Sequence, residues 1–149
     1  MSKNAGSRRQ AREAAFQILY RMEGQPSELE QIVSDPARLQ RELATHFAHF
    51  MLPEGQREFA AELAAGTLRE RQKIDEILQT AKTEWKLSRM AAVDRNLLRV
   101  AIYELTHFSD IPASVTINEA VELAKQFGDA DSPAFINGVL DQISRERRP

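Results

Sequence analysis

Apolar residues along this chain recur three and four positions apart, and no convincing run of alternating β-branched residues appears. The pattern therefore predicts an all-α fold, a compact bundle of about seven helices. A first helix is expected over residues 7 to 23, where Ala11, Ala14, Ala15, Ile18, Leu19 and Met22 form one apolar stripe. Gly24 to Ser27 breaks it. Asp35 followed by Pro36 is a start signal for a second helix, which carries Leu39, Leu43, Phe47, Phe50 and Met51 before Pro53 interrupts. From Glu54 onward, Phe59, Leu63, Leu68, Ile74, Ile77 and Leu78 predict one long helix or two stacked end to end, with Gly66 as a kink point. The period slips between Trp85 and Ser88. A strongly apolar segment with Val93, Leu97, Leu98, Ala101, Ile102 and Leu105 then predicts a buried central helix. Asp110, Ile111 and Pro112 close it, because the residue before a proline resists the helical region.

Two further helices are expected at the C-terminal end. Ile117, Ala120, Val121, Ala124 and Phe127 share a helical face, Thr116 with Glu119 fits a capping box, and Gly128 reads as a left-handed stop. Ser132 is expected to cap the last helix, with Pro133 at its first position and Ile136, Val139, Leu140 and Ile143 along its apolar face. Asn137-Gly138 is a turn-forming pair inside that helical pattern. The helix is retained, with Gly138 expected to let a neighbouring helix approach closely.

Length changes the picture little: 149 residues suit a single domain, 1 to 149, with fraying expected at 1 to 6 and 145 to 149. No apolar run approaches the roughly 20 residues that span a bilayer, and the N-terminus lacks the apolar core of a secretory signal, so a cytoplasmic location is expected. The absence of cysteine excludes disulfides, thiolate metal sites and a cysteine nucleophile.

Charge changes it more. The net charge of −2 hides basic ends on an acidic body. Residues 1 to 21 carry Lys3, Arg8, Arg9, Arg12 and Arg21 against Glu13 alone, or +4; the last five residues sum to +2; everything between sums to −8. A basic end of this kind is a candidate phosphate-binding feature, and equally the signature of a solvated terminus.

On the first predicted helix Arg8, Arg12, Phe16 and Tyr20 follow one another at i, i+4 steps, with Arg9 beside them. Guanidinium groups can pair with phosphates while splayed bases stack on rings, so the face suits single-stranded RNA. It also suits a wider apolar stripe with solvated arginines, and both readings stay open. Asp94, Arg95 and Arg99 form a second cluster, in which Asp94 and Arg95 are expected to cap and charge the helix and Arg99 to bridge to Glu104 or Glu122. His46, His49 and His107 lack metal-ligand spacing and read as surface or partly packed histidines, and no phosphate-loop, dinucleotide or nucleophile-elbow motif is present. No residue points to catalysis, no cofactor or metal is implied, and the chain is not expected to be an enzyme.

Three segments, Arg8 to Tyr20 (RRQAREAAFQILY), Asp94 to Leu105 (DRNLLRVAIYEL) and INEAVELAKQFG…FINGVLD from Ile117, resemble the NusB family of transcription antitermination factors in sequence and order. The resemblance implies a small helical module that pairs with the ribosomal protein NusE and binds boxA RNA of nascent rRNA transcripts within RNA polymerase antitermination complexes. It assigns RNA binding to Arg8, Arg9, Arg12, Tyr20, Asp94, Arg99 and Phe135, and complex assembly to Asp131. Several relatives carry a basic residue where this chain has Ala134, which implies a weaker C-terminal contribution. The same helical fold occurs in RNA cytosine methyltransferases, whose chemistry this cysteine-free chain lacks. The alternative is a homodimeric interaction module with the arginine-rich helix in its seam.

Overall fold

The computed structural model describes residues 3–53, 55–81 and 87–146. Among them lie eight α-helices and one 3-10 turn: α1 (Lys3–Glu23), α2 (Pro26–Val33), α3 (Pro36–Phe47), α4 (Gln56–Arg69), α5 (Arg71–Thr80), the turn Leu87–Arg89, α6 (Ala92–His107), α7 (Ala113–Phe127) and α8 (Ser132–Glu146). No described residue is in a strand, and no described helix is long and apolar enough to cross a membrane. The chain divides into two compact units, one ending at Arg69 and one beginning at Glu70.

In the first unit α1 packs chiefly on α4, with α2 and α3 completing the group. The six stripe residues of α1 are all buried, together with Phe16. Backbone helix extends four residues further toward the N-terminus than the apolar stripe implied, so positions 3 to 6, expected to fray, are helical. Positions 1, 2 and 147 to 149 lie outside the described residues.

Helix α2 escaped the sequence pattern because it buries only Ile32 and is eight residues long. Its start is nonetheless ordinary: Pro26 stands in the first turn, where a missing N–H removes no hydrogen bond. Asp35 caps α3 as expected, accepting the Arg38 N–H at 3.3 Å. Helix α3 ends at Phe47, earlier than expected. Met51 is therefore not on its apolar face but 98% exposed in the connection to α4. His46 donates from Nε2 to the Ala14 carbonyl at 3.0 Å, tying α3 to α1, and burial lowers its pKa from the usual histidine value.

The predicted segment from Glu54 is two helices. The break falls at Glu70 and not at Gly66, which is buried inside α4. In the second unit α6 packs on α5, α7 and α8, and α7 lies against α8. Leu97, Leu98, Val100, Ala101, Ile102 and Leu105 make α6 the central helix, as its composition indicated. The slipping period before it corresponds in part to the 3-10 turn Leu87–Arg89; Trp85 is outside the described residues. Arg95 ties that turn to α6, donating to the carbonyls of Leu87 and Met90 at 3.1 and 2.7 Å.

Three local expectations at the C-terminal end are corrected. Helix α7 starts at Ala113, so Thr116 is inside it and caps nothing; its buried hydroxyl donates to Glu104 Oε2 of α6 at 2.5 Å. Gly128 is extended (φ −94°, ψ −170°), not left-handed. Glycine is needed there for space: a Cβ would lie 2.5 Å from Ser132 Oγ and 2.9 Å from the Ala124 carbonyl oxygen. Ser132 is itself the first residue of α8, and the capping acceptor is Asp129, whose Oδ1 receives the N–H groups of Asp131 and Ser132 at 2.9 and 3.1 Å. Pro133 accordingly stands second in that helix.

Gly138 is exposed within α8, and beyond its chain neighbours and the helix's own backbone no described atom would lie within 4 Å of a Cβ there. No close helix approach explains it. Alanine at this position removes the entropic weakness of glycine in a helix interior without a clash. Gly138→Ala is expected to stabilise the protein by about 0.5–1 kcal/mol, read as a rise in the denaturation midpoint at unchanged slope; a lower midpoint would contradict this account.

Candidate nucleic-acid interface

The cationic face of α1 is assembled from two helices. Because α1 packs on α4, Phe59 of α4 meets the i, i+4 pair Arg8 and Arg12: the two guanidinium carbons lie 5.0 and 5.3 Å from the centre of its ring. Both distances are within cation–π range. The two arginines nevertheless differ in exposure. Arg8 is half-buried and makes no ion pair among the described residues, whereas Arg12 is only 4% exposed. Arg9 points away from the packed stripe and is exposed.

Further along α1, Phe16 is buried, and Tyr20, one turn on, is 48% exposed, with the ring centres 6.1 Å apart. The apolar stripe is therefore wider than the six residues of its pattern, by Phe16. Phe16 belongs to the core, and Tyr20 offers a ring at the surface. Arg21 approaches Glu42 of α3 at 4.0 Å, an exposed pair of little energetic weight.

In the second unit, Asp94 is 8% exposed near the start of α6. Burial raises its carboxyl above the usual carboxylate value, against a hydrogen bond from the Ser132 hydroxyl that lowers it, and the Asp129 charge adds to the rise. Its Oδ1 has no hydrogen-bond partner among the described residues. Asp94 therefore serves the junction of α6 with the α7–α8 connection. Asp131, in that connection, is exposed.

Arg99 has a partner that charge spacing did not indicate, Asp75 of α5. Its Nε and one terminal nitrogen clasp the two carboxylate oxygens of Asp75 on α5 at 2.8 and 2.9 Å, and the other donates to Asn96 Oδ1 at 3.0 Å. Glu122 pairs with Lys125 along α7. Phe135, in the first turn of α8, is half-buried, and Ala134 before it is exposed.

The residues that the sequence grouped by resemblance thus sort by what they touch. Arg8, Arg9 and Tyr20 of the first unit, and Phe135 and Asp131 of the second, present surface. Arg12, Asp94 and Arg99 are built into packing or hydrogen bonding within their units. Sequence reasoning missed Phe59, Asp75 and Asp129, each a partner supplied by a different helix or loop. Of these only Phe59 had a signal, its place in the apolar pattern of α4, and that signal pointed to core packing. No described group of three or more His, Asp or Glu side chains has the arrangement to hold a metal ion.

The fold and sequence have close counterparts. The chain is 47% identical over 139 residues to the transcription antitermination protein NusB of Desulfitobacterium hafniense, covering 92% of this chain and 87% of that one. It is 44% identical over 142 residues to the protein of the same name from Geobacter sulfurreducens, covering 93% and 94%. Among solved structures it resembles T. maritima NusB (TM-score 0.76, 36% identity, 95% and 93% covered). It also resembles a chain in the crystal structure of antitermination factors NusB and NusE in complex with dsRNA (TM-score 0.76, 26% identity, 94% and 97% covered). The sequence pattern of the NusB family matches residues 9–145, and the chain belongs to that family.

Proposed function

We propose that this chain is a transcription antitermination factor acting as a non-enzymatic adaptor in the cytoplasm, binding boxA RNA of nascent rRNA transcripts in partnership with NusE. The observation that carries the proposal is the surface of α1, where Arg8 and Arg9 stand at one end and the half-exposed ring of Tyr20 lies three turns on. Cations on a helix neutralise phosphates, and an exposed ring further along the same helix accepts a stacked base. The antitermination role named for its relatives agrees with this reading, as does the related crystal structure of NusB and NusE in complex with dsRNA.

The seven candidate RNA residues divide the work. Arg8 and Arg9 meet phosphates, Tyr20 and Phe135 offer rings, and Arg12, Asp94 and Arg99 shape the surfaces on which those groups stand. Asp131 serves complex assembly from the α7–α8 connection. Because Ala134 carries no charge, electrostatic attraction leans on the first helix.

The test is a salt series of binding to boxA RNA and to a scrambled control, with and without NusE, for wild type and the Arg8→Ala/Arg9→Ala variant. Two lost phosphate contacts are expected to make the log-affinity against log-salt slope shallower by roughly 1.4 and to weaken boxA binding. An unchanged slope would reduce the basic end to a solvated terminus. Equal binding of both RNAs, unaltered by NusE, would sink the adaptor reading. Sedimentation run alongside tests the homodimer alternative, since a dimer dissolved by RNA would mean that one face serves both.

A further inference from the structure

We infer that Phe59 is a positioning residue for RNA binding: its ring holds Arg8 and Arg12 in place and so presents the cationic face of α1 ready-formed. The inference rests on the reading of α1 as the RNA face. The geometry is unusual for a residue whose sequence pattern marks it as core. One ring centre has two guanidinium carbons near it, at 5.0 and 5.3 Å, and these come from the same face of α1 while the ring comes from α4. Two cations so placed are no more than about 10 Å apart, and by themselves they repel. An aliphatic side chain would fill the same space and do nothing about that repulsion. The negative faces of an aromatic ring attract both groups instead.

The consequence is preorganisation. An arginine side chain free in solvent loses rotamer freedom when fixed, and a ligand that must fix it binds correspondingly more weakly. Arg12 is already buried and Arg8 half-buried before any RNA arrives. A guanidinium carries five N–H donors and cannot turn them all toward one ring, so Arg8 can meet a phosphate without leaving Phe59. Phe59 itself is partly exposed, at the margin between core and surface.

This role separates from simple packing. Phe59→Leu keeps an apolar side chain of similar reach and removes the ring; Phe59→Tyr keeps the ring. With the full-length chain, NusE and labelled boxA RNA, Phe59→Leu is expected to bind roughly 5- to 30-fold more weakly. Its salt slope should stay near that of wild type, because no phosphate partner has been deleted. Phe59→Tyr should bind within about twofold of wild type. In an Arg8→Ala background, Phe59→Leu should lose much of its effect, since the two residues act as a pair.

If Arg8→Ala weakens binding while Phe59→Leu does not, the positioning role is overturned and the RNA reading of α1 stands. Equal loss in the Leu and Tyr variants also overturns it, by assigning Phe59 to packing alone. Should neither Arg8→Ala nor Phe59→Leu alter binding, the RNA reading of α1 falls, and this inference falls with it.

Discussion

Gly128→Ala is expected to lower stability by about 3 kcal/mol, the upper range for forcing a methyl group into a packed site. For a chain of this size that corresponds to a fall in melting temperature of roughly 10 °C. The reason is spatial. At φ −94° an alanine backbone is unstrained, but the new Cβ would meet Ser132 Cβ at 2.6 Å and Oγ at 2.5 Å, and the Ala124 carbonyl oxygen at 2.9 Å. None of these can retreat freely. Ser132 is 1% exposed, its hydroxyl accepts the Asp129 N–H at 3.1 Å, and its own N–H is held by the Asp129 carboxylate. Moving it would disturb the start of α8 and the hydroxyl that Asp94 uses. Thermal unfolding followed by circular dichroism checks the effect. Adding Ser132→Gly should recover part of the loss, because it removes two of the three close contacts. A melting temperature within about 2 °C of wild type would show that the connection yields more easily than its hydrogen bonds imply.

The second large effect is expected from Asp75→Ala, at about 2–3 kcal/mol. The Arg99–Asp75 pair differs from a surface salt bridge in two respects. Its side chains are only 12% and 23% exposed, and it is bidentate. Removing the carboxylate leaves two guanidinium donors without their acceptor in a poorly hydrated site. Arg71 worsens the outcome, because Asp75 and Arg99 both act on its charge, with opposite sign. Losing Asp75 therefore removes the attraction that offsets the Arg99 charge at Arg71. A double-mutant cycle with Arg99→Ala, read by chemical denaturation, should give a coupling above about 1 kcal/mol; a value near zero would place the pair with ordinary surface contacts. Any change in RNA binding that accompanies Asp75→Ala should follow the loss of stability and leave the salt slope intact.

Much of this molecule was legible before its structure. The fold class, the apolar stripe of α1, the Asp35 cap and the central place of α6 follow from residue spacing alone, because burial of a helix face is a periodic demand on sequence. What was not legible depends on partners distant in the chain. Thr116 and Glu119 make a good capping box on paper, yet the helix begins at Ala113 and Thr116 finds Glu104 instead. Gly128 carried the right residue for the wrong reason, since a need for space and a need for positive φ leave the same letter. At the candidate site, resemblance selected the residues, but spacing could not say that Arg12 and Arg99 are held by Phe59 and Asp75. Burial of a charge is a tertiary property, and a helical wheel shows only half of the environment that produces it.

Chain order in the first unit has a bearing on how the protein is made. Every helix described as packing on α1 within that unit lies before Arg69, where α4 ends. Once that residue has cleared the ribosome, the stripe of alanines and large aliphatic side chains on α1 has its partners of the first unit at hand. Domains that close on nearby chain in this way gather their contacts quickly. Premature self-association of the nascent chain through that stripe is thereby kept brief.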